Sequence, residues 1–231
     1  LQVVVVSSTE TRLTWNDRSQ NEYVFEVERR IVPGSFLPAA SLPADSDAWN
    51  DTGLGPDTSV VYRVRAVGVT SPSGWTAEAG ALTPPSLALS GVKASLADSA
   101  TAVKDRAKAK GVYSFLPAAK DTVFDPVNEG VTILVGGEQG PAVVTIPPKD
   151  PGWKVVKFKA TWKTPKESTS KAAVVFDLVK KKFSVSLSRI TFPGPVANPV
   201  RLSLRVGNDG GSLRTDWVNK KPGIFSYKQP Y

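Results

Sequence analysis

Apolar and polar positions alternate in short runs along this chain, with clusters of turn-forming residues between the runs. Period-two alternation marks strands, because successive side chains of an extended backbone point to opposite faces. Residues 1–6 are an apolar edge run, and Arg12-Leu13-Thr14-Trp15 alternates. Tyr23, Phe25 and Val27 fall on one face of residues 23–29, as do Tyr62, Val64 and Ala66 of residues 60–67. Asn16-Asp17-Arg18-Ser19 and Gly53-Leu54-Gly55-Pro56-Asp57 supply turns. Further along, Phe158, Ala160 and Trp162 alternate with Lys157, Lys159, Thr161 and Lys163, and Phe183, Val185 and Leu187 alternate with serines. Residues 97–110 are rich in Ala and Lys and suit a helical turn, but alternation over 107–115 favours a strand there. The pattern predicts an all-β chain of antiparallel β-sandwiches in two domains.

Within residues 1–85 the runs carry a specific pattern. Leu13-x-Trp15 is followed by Asn21-Glu22-x-x-Phe25-x-Val27-Glu28-Arg29, by Gly53-Leu54-x-Pro56-x-Thr58, and by Tyr62-Arg63-Val64-Arg65-Ala66-Val67. This resembles a bacterial fibronectin type III module. The resemblance implies Trp15 packed between two sheets, with Leu54 and Tyr62 closing the core. It also implies a corner tyrosine, whose position is taken by Val60. No Arg-Gly-Asp signal occurs in residues 68–75, where some animal modules carry it.

Residues 86–231 contain an internal repeat. Val135-Gly136 recurs as Val206-Gly207, and Pro151-Gly152 as Pro222-Gly223, at an offset of 71 residues. Phe115 and Phe124 match Phe183 and Phe192 at an offset of 68. The expected organisation is an Ig-like sandwich built of two halves, about 107–160 and 180–231. Halves this small hold little core alone and are expected to pack together or to pair strands. Gly130-Val131-Thr132-Ile133-x-Val135-Gly136-Gly137 resembles Lys-rich repeats of secreted bacterial proteins.

Composition narrows the chemistry. The chain has no Cys, His or Met among its 231 residues. That removes disulfides, thiolate nucleophiles, His-based triads and most transition-metal sites. No apolar run is long enough for a membrane helix, so no membrane insertion is expected. Residue 1 already opens a strand, so no signal peptide is expected in this sequence. No cofactor is expected either. The net charge of +8 is unevenly shared: residues 1–85 have six Arg, no Lys and ten acids, a net −4, whereas residues 86–231 have 23 basic and 11 acidic residues, a net +12. This shift beside Thr83-Pro84-Pro85-Ser86 marks the domain boundary and a short, stiff linker.

Candidate contacts follow from charge and exposure. Lys180, Lys181, Lys182, Lys157 and Lys159 are candidates for assembly or for binding a polyanion. An acidic polysaccharide suits an extracellular module better than nucleic acid does, and a solvated cationic face is the plainer alternative. Trp75 and Trp217 lie near loops and are candidate glycan platforms. Val3, Val4, Val5 and Val6 could complete the sheet of a neighbouring molecule. Carboxylates in turns, Asp45, Asp47 and Asp51 in one domain and Asp121, Asp125 and Glu129 in the other, are candidates for acid–base work, and the first three for Ca²⁺. Their spacing matches no known Ca²⁺ loop, and solvated turn residues are the simpler reading. The expected function is a non-enzymatic extracellular component, cell-surface, filament-forming or adhesive, of bacterial origin. It would associate head to tail or with other surface proteins. The alternative is an accessory carbohydrate-binding region of a larger secreted hydrolase.

Overall fold

The computed structural model describes all residues except 33, 100–103, 118–123, 138–140, 194 and 230–231. It divides into two compact units, Leu1–Pro84 and Pro85–Tyr231. Thr83 and Ser86, on either side of the proline pair, are each buried. Thr83 Oγ1 donates to the Gly55 carbonyl and accepts from Thr58 N–H, while Ser86 exchanges hydrogen bonds with Gly210.

The first unit has seven strands: β1 (Gln2–Ser7), β2 (Glu10–Thr14), β3 (Glu22–Ile31), β4 (Leu37–Pro43), β5 (Ala48–Asp51), β6 (Ser59–Gly68) and β7 (Ala79–Leu82). They pair antiparallel in the orders β1-β2-β5 and β4-β3-β6-β7. Inward residues of both sheets form one core, with Leu13, Trp15, Phe25, Val27, Leu54, Val60, Tyr62 and Val64 all buried. This is the fibronectin type III-like β-sandwich that the sequence pattern implies, with Trp15 between the sheets. At the expected tyrosine-corner position Val60 simply fills core. Instead the buried Tyr62 hydroxyl donates to Asp51 at 2.8 Å and accepts from Thr11 at 2.7 Å, tying three strands together. Asp51 also accepts from both the Arg29 guanidinium and Gly53 N–H. Tyr23 departs from its expected face. A register shift between Glu22 and Val24 turns it outward, and it is 57% exposed.

Among the described residues, the second unit has twelve strands. The first six are β8 (Leu87–Ala97), β9 (Asp105–Phe115), β10 (Val131–Gly137), β11 (Ala142–Ile146), β12 (Trp153–Val156) and β13 (Lys159–Lys163). The next six are β14 (Lys171–Asp177), β15 (Lys182–Ile190), β16 (Val200–Val206), β17 (Asp209–Thr215), β18 (Val218–Lys221) and β19 (Ile224–Lys228). A four-stranded sheet, β11-β10-β16-β17, shares one core with an eight-stranded sheet, β12-β13-β14-β15-β9-β8-β19-β18. Exchanging each of the first six strands for its counterpart six places later reverses both orders and leaves them otherwise unchanged. The unit is therefore a topological duplication about a pseudo-two-fold axis, passing between β10 and β16 and between β9 and β15. Ile133 faces Leu204 across the first of these pairings, 71 residues apart.

The halves exchange strands, since β13 pairs with β14 and β19 with β8. Each half begins earlier than the alternation suggested, at β8 and at β14. Two of the repeated sequence features occupy non-equivalent places. Pro151-Gly152 leads into β12, whereas Pro222-Gly223 turns between β18 and β19. Phe115 ends β9, whereas Phe183 lies near the start of β15 opposite Gly111. Phe115 and Phe183 thus lie on equivalent strands but at opposite ends of them, whereas Val135 and Val206 occupy equivalent positions of β10 and β16.

Candidate functional site

Antiparallel pairing puts directly opposite residues on the same face, so cross-strand rows can be read across the eight-stranded sheet. One row on its outer face runs Lys228, Lys93, Lys110, Ser184, Val175, Thr161, Lys154. The next runs Ser226, Ser95, Lys108, Ser186, Ala173, Lys163. Arg106, Ser188 and Lys171 form a third, and Lys182, Asp177, Lys159 and Val156 a fourth. These rows carry ten cations and one carboxylate, Asp177. Between the cations lie mainly Ser, Thr and Ala, short side chains that keep the face open and offer hydroxyls.

The strands form this face because β8, β9 and β15 alternate over the stretches that build it, residues 93–97, 105–110 and 182–188. Ala107 and Ala109 point inward and are buried, while Arg106, Lys108 and Lys110 point out. Among the described residues, Lys93, Arg106, Lys108, Lys110, Lys154, Lys159, Lys163 and Lys182 make no ion pair. The first unit treats its outer face differently. There Glu26 lies opposite Arg65 and Glu28 opposite Arg63, with ion pairs of 2.7 and 2.6 Å. One chain thus balances the charges on one sheet and leaves them unbalanced on another.

Along the β12–β13 edge of the cationic face, from the β12–β13 and β14–β15 turns to the β13–β14 connection, runs an open groove of about 1010 Å³. It brings together Lys157, Lys159 and Lys180 of the sequence-derived set and adds Lys154, Lys163 and Lys166. Lys182 lies on the adjoining face row, while Lys181 turns away, its ammonium 5.5 Å from the centre of the Phe115 ring. Val156, Phe158 and Val179 also line the groove, and each is more than 60% exposed. Phe158 therefore leaves the buried face it was expected to share with Ala160 and Trp162. It sits in the turn, where the strand alternation has ended. Asp150 fixes this hairpin, accepting from Gly152 N–H and from Trp162 Nε1, each at 2.7 Å.

The candidate glycan platforms fare poorly. Trp217 is 2% exposed, stacks on Tyr227 at 6.0 Å, and has its backbone held by the Asn198 amide. It belongs to the core cluster of the second unit. Trp75 is half-buried under two guanidiniums, Arg63 at 4.4 Å and Arg65 at 4.3 Å from its ring centre. Arg63 also stands 4.2 Å from the Phe36 ring, so the aromatic faces are used within the protein. Sequence reasoning missed this ladder, although Glu26-x-Glu28 and Arg63-x-Arg65 on adjacent strands were its signal.

Val4, Val5 and Val6 are exposed on β1, an edge strand paired only with β2, while Val3 packs on the core. Of the carboxylates, Asp51 is buried in the Arg29 and Tyr62 network and unavailable to a ligand. Asp45 lies near Asp17 and Glu22, but Asp17 and Asp45 belong to connections between strands and Glu22, at the start of β3, already accepts from Asp45 N–H. Asp47 is exposed, and Asp121 lies outside the described residues. Burial pushes the Asp125 carboxyl up, yet hydrogen bonds from the Asn128 amide and from Asn128 and Val127 N–H outweigh it and hold the group below its ordinary value. It is a turn cap, with Glu129 accepting from its own N–H.

No protein-family model and no curated protein matches this chain. Among solved structures it is similar to a two-domain fibronectin type III segment from chicken tenascin, at 15% identity over 92% of this chain and 96% of that one, with a TM-score of 0.35. It is also similar to the chicken CNTN1 FN1-FN3 domains, at 10% identity over 92% and 96% of the two chains, with a TM-score of 0.33. Overlaps this low decide nothing further, and the all-β assignment rests on the strand pairing itself.

Proposed function

We propose that the chain is a non-enzymatic β-sandwich scaffold acting outside the cell, and that it adheres to acidic polysaccharide through the lysine face of its eight-stranded sheet. The observation that carries this reading is the unpaired charge of that face. Like charges directly opposite one another destabilise a sheet, and the first unit shows the chain can place acids across from bases. A fold that keeps a cationic surface against this cost has a use for it. Regular rows of cations separated by hydroxyls suit a linear polymer of repeating negative charge. The test is binding of polygalacturonate, with neutral dextran as control, across a range of salt. Retention that falls steeply with salt, and falls further for Lys108→Ser with Lys110→Ser, is the expected result. Equal retention on neutral dextran, or stronger binding to duplex DNA, replaces this reading.

A second reading, self-association, is favoured by the exposed valines of edge strand β1. An apolar, unpaired edge is a template for strand addition by a second copy. A glycan-binding role resting on Trp75 and Trp217 is withdrawn, because one ring is covered by guanidiniums and the other is buried.

A further inference from the structure

The groove along the edge of the cationic face has an apolar component that a polysaccharide does not need. Val156 and Phe158 of the β12–β13 hairpin and Val179 of the neighbouring turn line it and are 69%, 63% and 63% exposed. They form one projecting tip on a rigid support. β12 is paired along its length with β13, and Asp150 clamps the base of the hairpin through Gly152 and Trp162. Such side chains stay in water only at a cost in free energy, so a rigid cluster of them marks a contact surface. Lys154, Lys157, Lys159 and Lys180 line the groove beside the tip, Lys163 and Lys166 line it farther along, at and beyond the end of β13, and none of them makes an ion pair among the described residues. The one carboxylate in the groove, Asp177, accepts from Lys180 N–H and lies directly opposite Lys182. The equivalent turn at the far edge of the sheet, Lys221-Pro222-Gly223, has no aromatic residue.

We propose that this tip docks peripherally on a bilayer surface rich in anionic lipid. Phe158, Val156 and Val179 enter the boundary between headgroups and acyl chains, while the neighbouring lysines meet the lipid phosphates. Lysine suits this position because its long alkyl stem lies along apolar surface while the ammonium reaches the headgroups. Six lysines against one carboxylate, Asp177, line the groove beside the apolar groups, which matches an anionic interface with an apolar interior. The proposal stands apart from polysaccharide binding, which needs only the flat part of the face.

The chain has no cysteine, so Phe158→Cys creates a single attachment point for a polarity-sensitive fluorophore. The labelled full chain is mixed with vesicles of phosphatidylglycerol and phosphatidylcholine, with phosphatidylcholine vesicles, and with polygalacturonate. A blue shift on the anionic vesicles alone is the expected result. Unlabelled Phe158→Ser should lose on the order of tenfold in vesicle cosedimentation at high salt. The proposal is overturned if the wild-type chain does not sediment with anionic vesicles at low salt, or if it does so without a shift at position 158. An equal shift on neutral vesicles or on polygalacturonate overturns it as well. Val179→Cys, on a different turn, repeats the measurement should the first variant fail to fold.

Discussion

Lys93 lies directly opposite Lys110 on the outer face of β8 and β9, and neither side chain has a carboxylate partner among the described residues. Across the same row Lys93 also faces Lys228. Such a row of like charges costs the sheet some stability.

Lys110→Glu should therefore act in two directions. Converting the like pair into an opposite pair stabilises the second unit by about 0.2–1 kcal/mol. The same change removes a cation from the face and adds an anion, so polygalacturonate retention falls. Urea unfolding and retention measured on one preparation check both. A variant that is less stable yet binds as before would remove the argument for this face.

Arg63 joins two aromatic rings and one carboxylate in the first unit, with Phe36 at 4.2 Å, Trp75 at 4.4 Å and Glu28 at 2.6 Å. Arg63→Ala should destabilise that unit by about 1–2 kcal/mol, combining two partly exposed cation–π contacts with one partly exposed ion pair. Arg63→Lys should recover only part of the loss, because an ammonium cannot lie flat between two rings. Hydrogen exchange of β6 amides reads the change unit by unit.

Gly211 on β17 passes so close to β8 that an added methyl would overlap the Leu87 carbonyl. Both atoms belong to backbone, so neither can swing aside. Gly211→Ala should cost several kcal/mol, roughly the upper end for single substitutions, and leave little soluble protein. Gly74→Ala, where nothing lies within 4 Å, is the matched control and should be near neutral.

Burial, and then the field of Asp177, pushes the Tyr113 hydroxyl up to about 12 from an ordinary 10.0. The folded state therefore holds this proton more tightly than the unfolded chain does. The resulting stability is complete below pH 10 and is lost as pH rises from there towards 12. Tyr62, buried and donating to Asp51, is raised in the same direction. Alkaline unfolding should begin above about pH 10, with part of the tyrosinate absorbance appearing only as the fold is lost. Tyr113→Phe should reduce the alkaline loss of stability.

Self-association through β1 predicts assembly that survives high salt, because backbone pairing and valine burial carry it. Light scattering of the wild-type chain at low and high salt, beside Val5→Lys, measures this. Assembly that disappears with salt would place the contact in the charge asymmetry instead. Val5→Lys should leave folding intact, since Val5 is 36% exposed on an edge strand.

Most of the strands were legible as alternation. Ala107 and Ala109 against Lys108 and Lys110, and Phe183, Val185 and Leu187 against serines, fix which face is buried wherever a strand runs straight. Alternation failed where the backbone departs from a regular strand. Tyr23 sits at a register shift and Phe158 in a turn, and each points opposite to the face its spacing assigned. Trp217 was misread for another reason. Proximity to a loop says nothing about whether the ring is buried.

The sequence alone determined the β class, the core of the first unit, the split of charge and the exclusion of thiol and imidazole chemistry. Each of these depends on residue type or on local period. Only tertiary structure decided that Lys93, Lys110 and Lys154 share one row, and that Lys157 and Lys180 share one groove. Those neighbours come from strands far apart in the chain, and the exchange of strands between halves sets their order. A local period specifies which way a side chain points. It carries no information on which distant strand will lie beside it, because that choice is made by packing two sheets over one shared core.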